Sequence, residues 1–209
     1  MAVSVLVLGG IAVIVFFARL SASGPSTAVG QASYPFPCLA TEGTAQHIHP
    51  YLRIVLDGTP VTVPAFVGIR NSGGVACYEP LHTHDASGIV HIETANPTQT
   101  FTLGDFFTIW RDTYGTALIH NATVPVGYTV GELLGRSVDA RHEVRLVVDG
   151  KPSGAGPTLV LNGLDYCSAA MTQPPCFPTA VGDPYPPILV TRYGTGHTIV
   201  LQYAARGGS

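Results

Sequence analysis

YLRIVLDGTPVTVP, residues 51–64, is the stretch on which the fold turns: two β-rich runs flank Asp57-Gly58, the strongest short-range signal for a two-residue hairpin. A similar device returns at 144–161, where VRLVVDG is followed by KPSGAGPTLVL, and residues 187–193 (PILVTRY) and 197–203 (HTIVLQY) form a further pair about Gly194-Thr195-Gly196. Between these hairpins, FTLGDFFTIW (101–110) offers Thr102 as N-cap, Asp105 in the first turn, and Leu103, Phe106, Phe107 and Trp110 at helical spacing. That pattern predicts one short amphipathic helix. YTVGELL (128–134) copies FTLGDFF (101–107) position by position and predicts a second with the same capping chemistry; an internal duplication is the weaker explanation, because the flanking elements do not repeat in order. Hairpins with a helix between them predict an α+β fold, a mainly antiparallel mixed sheet with one or two short helices in a β-grasp-like order. A β-sandwich is the alternative.

Composition supports a folded, β-rich chain. Of 209 residues only 11% are charged, so the chain lacks the signature of disorder, and its 24 glycines and 17 prolines favour short strands and turns over a helical bundle. A net charge of −3 with no basic run leaves nothing to neutralise phosphates, which argues against a nucleic-acid partner.

From Ala2 to Ala18 no side chain is charged, and seventeen helical residues span about 26 Å. Residues 1–20 therefore predict a signal or anchor segment and 21–46 a tether. The absence of a basic residue before the apolar run favours a start upstream of Met1. Cleavage near Ser23 or Ala32 would release the protein, whereas retention, the favoured outcome, would tether it to the membrane on the outer side. Residues 47–209 then form a single extracytoplasmic domain, with 151–186 as a Pro/Gly-rich surface insertion.

Four cysteines, none in CxxC spacing, agree with export and with disulfides. Of three possible pairings Cys38–Cys77 with Cys167–Cys176 is preferred, the second closing the loop SAAMTQPP. A thiolate ligand role for Cys77 is the competing possibility.

Five of the eight histidines lie in three pieces with i, i+2 spacing: His47-Ile-His49, His82-Thr-His84-Asp85 and His91-Ile-Glu93. In a strand, alternate side chains share a face, so each piece can project two polar groups to one side and its isoleucine to the other. Converging imidazoles with Glu93 or Asp85 as the carboxylate suit a divalent ion, Zn²⁺ or Cu²⁺ by preference, and the scarcity of methionine speaks against a thioether Cu(I) site. The same spacing also fits a solvated polar face or a hydrogen-bonded structural cluster. His142 and His197 read as surface residues at strand starts, and His120 precedes a sequon-type Asn121-Ala-Thr123. No organic-cofactor fingerprint, P-loop or Gly-x-Ser-x-Gly is present, and the spacings match neither a metallo-β-lactamase nor a cupin.

The run from Cys77 to Glu93 (CYEPLHTHDASGIVHIE) with FTLGDFFTIW, preceded by His47-Ile-His49 and the Asp57-Gly58 hairpin, resembles a family of exported bacterial and archaeal proteins for which no activity is established. The resemblance is continuous over 38–112 and patchy to 194, with 113–143 and 151–186 as insertions. It implies location and shape rather than chemistry. Three function classes follow in order: a metal-binding extracytoplasmic protein, a structural or interaction module of a membrane complex or cell surface with a protein partner, and a metal-dependent enzyme using Asp85 or Glu79 as acid or base.

Overall fold

The computed structural model describes residues 35–72, 74–119, 121–166 and 196–207. In chain order the strands of the first half are β1 (Gln46–Ile48), β2 (Tyr51–Leu56), β3 (Thr59–Val61), β4 (Ile69–Ser72), β5 (Val75–Tyr78), β6 (Leu81–His82) and β7 (His91–Thr94). Helix α1 (Leu103–Tyr114) follows, then β8 (Thr116–Ile119), β9 (Ala122–Pro125), β10 (Tyr128–Thr129), β11 (Glu132–Leu133), β12 (Arg136–Ser137), β13 (His142–Val148), β14 (Lys151–Ser153) and β15 (Thr198–Ala205).

The main sheet has the order β14-β13-β15-β2-β3. Its two hairpins turn at Asp57-Gly58 (φ 49° and 81°) and Asp149-Gly150 (φ 52° and 73°), each with both central residues in the left-handed region that a type I′ turn requires. Strand β15 enters between them, parallel to β2 and antiparallel to β13. A hairpin, a helix and a last strand inserted parallel to the first make the mixed sheet β-grasp-like, and the α+β fold stands over the β-sandwich.

Helix α1 starts where its chemistry dictates. Thr102 caps the Asp105 amide while the Asp105 carboxylate accepts the Thr102 N–H at 2.8 Å, a reciprocal capping box. Its apolar face, Leu103, Phe106, Phe107 and Trp110, joins Leu52, Ile54, Leu146, Ile199 and Leu201 in one core.

Three stretches depart from the sequence expectation. Residues 128–134 form β10 and β11, two strands of the small β10-β11-β12 sheet, instead of a second helix. Gly127, Gly131 and Gly135 recur every fourth residue there, whereas α1 runs from Gly104 to Gly115 uninterrupted, so the copied capping pattern is never followed by enough helix-forming residues to offset nucleation. The start of the supposed insertion belongs to the core, its first residues forming the hairpin arm expected at 144–161. Lys151–Ser153 pairs along β13, Leu161 is buried, and the backbone of 159–161 binds that of 101–103: the Leu103 N–H, an orphan donor at the helix start, finds the Leu159 carbonyl at 2.9 Å. Likewise the tether does not extend to residue 46, because Phe36 is buried edge-on against Phe101 and Cys38 is bonded to Cys77. The anchor segment, the 187–193 strand, His120 and the Cys167–Cys176 pair lie outside the described residues, among which no helix is long and apolar enough to cross a membrane.

Candidate metal centre

Strand β7, His91-Ile92-Glu93-Thr94, runs down the middle of a second sheet of order β1-β7-β6. Register decides what converges on it. His47 on β1 stands opposite Glu93, and His82 on β6 stands opposite His91. Residues directly opposite in an antiparallel pair share a face, so His47, Glu93, His91 and His82 project to one side, while Ile48, Ile92 and Leu81 project to the other and pack against the core. His49 and His84, two residues beyond His47 and His82, follow onto the polar side. The alternation of imidazole and isoleucine thus builds a dry face and a polar face from the same three short strands.

The polar groups are within ligand distance of one another. His47 Nε2 lies 3.0 Å from Glu93 Oε1 and 3.1 Å from His49 Nε2, and His91 Nδ1 lies 3.0 Å from the same Glu93 oxygen. On the other flank His82 Nε2 is 3.2 Å from His84 Nε2 and 3.9 Å from Glu93 Oε2. His47, His49, His91 and Glu93 form one group of four donors, and His82, His84, His91 and Glu93 another, each with all donor atoms within 4.8 Å.

Protonation follows from the surroundings. His82, fully buried, places Nδ1 2.8 Å from the Glu79 carbonyl oxygen. A carbonyl only accepts, so Nδ1 carries the proton and Nε2 turns a bare lone pair toward His84. Burial drives the His82 pKa down to about 3, helped by neighbouring imidazoles, and burial lowers that of His84 as well. Both are neutral donors at neutral pH. Burial works to raise the Glu93 carboxyl, yet the hydrogen bond from His91 and the fields of the surrounding histidines outweigh it and hold the pKa at about 2. Glu93 is therefore an anion at neutral pH.

Two carboxylates at the centre were not evident in the sequence. Glu42 Oε1 lies 3.5 Å from His84 Nε2 and 3.8 Å from His82 Nε2, and its pKa is raised by burial and by the adjacent Glu93 carboxylate. Gly43 holds Glu42 there: a Cβ on it would sit 2.2 Å from the Thr94 carbonyl carbon, so only glycine lets this segment lie against β7. Asp165 accepts the His49 N–H at 3.0 Å, with the same oxygen 3.9 Å from His49 Nδ1. A small cavity of about 30 Å³, lined by Glu42, Glu93 and Thr94 among others, reaches the two glutamates and has room for a water or two.

Other candidates fall elsewhere. Asp85 belongs to neither group of four and uses its carboxylate to accept the Ser87 N–H in a local turn. Cys77 is half of a disulfide and has no thiolate to offer. Glu79 is ion-paired with Arg70 and serves the cluster through its carbonyl. His142 and His197 bind Asp139 and Asp149 at the starts of β13 and β15. Comparison with protein-family models, characterised proteins and solved structures finds no match, so the chemistry is read from the geometry.

Proposed function

We propose that this chain is an extracytoplasmic protein, tethered to the membrane through residues 1–20, whose domain binds a divalent metal ion, Zn²⁺ or Cu²⁺, in the His/Glu centre on β1, β6 and β7. The carrying observation is His82: buried, neutral, its tautomer set by a backbone carbonyl, and its free lone pair aimed 3.2 Å from the Nε2 of a second histidine. A hydrogen bond from the far ring nitrogen to a carbonyl is how proteins orient imidazole ligands. Burying several imidazoles and a carboxylate side by side costs a few kcal/mol for each group left uncompensated, and a cation removes that cost together with the repulsion between Glu42 and Glu93. All donors are nitrogen or oxygen, the set that suits Zn²⁺ and Cu²⁺. The Cys38–Cys77 disulfide supports an oxidising location.

Elemental analysis of protein purified without a His-tag tests the proposal beside a His82→Ala/His84→Ala variant. Metal near or above one equivalent in the natural chain, and less in the variant, is expected. Substoichiometric metal in both would refute it and favour a structural cluster held by hydrogen bonds.

A further inference from the structure

The centre offers more donors than one ion takes. Zn²⁺ in a closed protein site uses four, whereas five imidazoles and the carboxylates of Glu93 and Glu42 face this one. They are not spread evenly. The pair His47/His49 and the pair His82/His84 each complete a group of four with His91 and Glu93, and those two residues are all that the groups share.

We propose that the site is dinuclear, two divalent ions bridged by the Glu93 carboxylate. This rests on the metal-binding proposal above and goes beyond it. Glu93 turns a different oxygen to each flank: Oε1 lies 3.0 Å from His47 Nε2 and from His91 Nδ1, while Oε2 lies toward His82 Nε2 at 3.9 Å. A carboxylate has a lone pair for one ion on each oxygen, which makes it the natural bridge. An imidazole that keeps its second proton serves one ion only. The donors then divide into two complete sets. His47, His49, His91 and Glu93 Oε1 hold the first ion; His82, His84, Glu42 and Glu93 Oε2 hold the second.

Spacing agrees with this division. Bonds of about 2.0–2.1 Å to a tetrahedral ion set its donor atoms about 3.3 Å apart. The closest contacts within the first set are 3.0–3.1 Å, with all four of its donors inside 4.8 Å of one another, and those within the second are 3.2–3.9 Å. Glu42 gains a role that a mononuclear site on the first set leaves it without, since its oxygen lies 3.5 Å from His84 and 3.8 Å from His82. Ions sharing one carboxylate in two-metal sites typically sit about 3.5–4 Å apart, close enough for paramagnetic ions to couple.

The test is titration of the untagged full-length chain, stripped with chelator, with Zn²⁺ and separately with Cu²⁺ against a chromogenic competitor. Electron paramagnetic resonance of the copper-loaded protein accompanies it. Two equivalents per chain are expected, with an integrated spin count well below the copper content. His47→Ala/His49→Ala and His82→Ala/His84→Ala variants should each retain one equivalent, and single-ion copper should then regain its full spin count. Saturation of the natural chain at one equivalent, lost with either pair, overturns the dinuclear assignment and leaves a mononuclear site. Two equivalents that survive both substitutions place the ions elsewhere and overturn it too. No retained metal at all refutes the underlying metal proposal instead. If either variant fails to fold, the stoichiometry and spin count of the natural chain decide alone.

Discussion

Acidification of the metal-free protein should destabilise it through His82. In the unfolded chain this histidine titrates near 6.5; in the folded domain burial holds it at about 3. Above the unfolded value the shift costs nothing. As pH falls below 6.5 the unfolded state takes up a proton that the folded state refuses, so stability drops by about 1.4 kcal/mol per pH unit until the folded value is reached. Between pH 7 and pH 5 the loss from His82 alone is about 2 kcal/mol, which for a chain of this size lowers Tm by roughly 4–8 °C. His84, lowered in the same direction, adds to it. Glu93, held near 2, loses its stabilising contribution only as pH falls below about 4.5, and Glu42, raised, works in the opposite sense. Urea unfolding of chelator-treated protein at the two pH values, followed by the fluorescence of the single, fully buried Trp110, measures the difference. His82→Asn, whose side-chain amide can still donate to the Glu79 carbonyl, should flatten most of the dependence. A stability independent of pH across this window, or a slope unchanged in the variant, would refute the assignment of His82 as a buried neutral donor.

Three further outcomes follow from particular contacts. Replacing Cys38 and Cys77 by alanine frees a 39-residue separation and should cost about 3–4 kcal/mol in denaturant unfolding, while weakening metal binding because Glu42 is carried by the segment the bond secures. Gly43→Ala, whose Cβ would overlap the Thr94 backbone, should cost about 1–3 kcal/mol and lower metal affinity roughly ten- to hundred-fold in competition titration, with the main sheet intact by circular dichroism. Phe106→Ala, at a fully buried position in α1, should cost about 3–5 kcal/mol in the same unfolding assay.

Local chemistry was legible wherever it acts over a few residues. The Asp-Gly turns, the Thr102–Asp105 capping box and the i, i+2 alternation of imidazole with isoleucine each set their own geometry, and the structure carries them as read. What depended on long-range contact was not. YTVGELL carries a helix-start pattern, yet three regularly spaced glycines and the packing of Leu133 and Leu134 turn it into short strands. Residues 151–153 continue the hairpin legible at 144–161, but residues 154–161 resemble a loop, and only the backbone bonds of 159–161 to residues 101–103 tie that part to the core. Glu42 could have been found. It lies four residues past Cys38, and His82 lies five past Cys77, so the preferred disulfide already brings that carboxylate toward the histidines. Asp165 meets His49 across 116 residues with no spacing signal at all.

The most direct test of the metal centre is X-ray absorption spectroscopy of the zinc-loaded, untagged protein. A first shell of four nitrogen and oxygen atoms at about 2.0–2.1 Å, with the outer-ring scattering of imidazoles and no sulfur at about 2.3 Å, is the predicted result. A shell of oxygen atoms alone without imidazole scattering, or zinc that washes away before measurement, would contradict it.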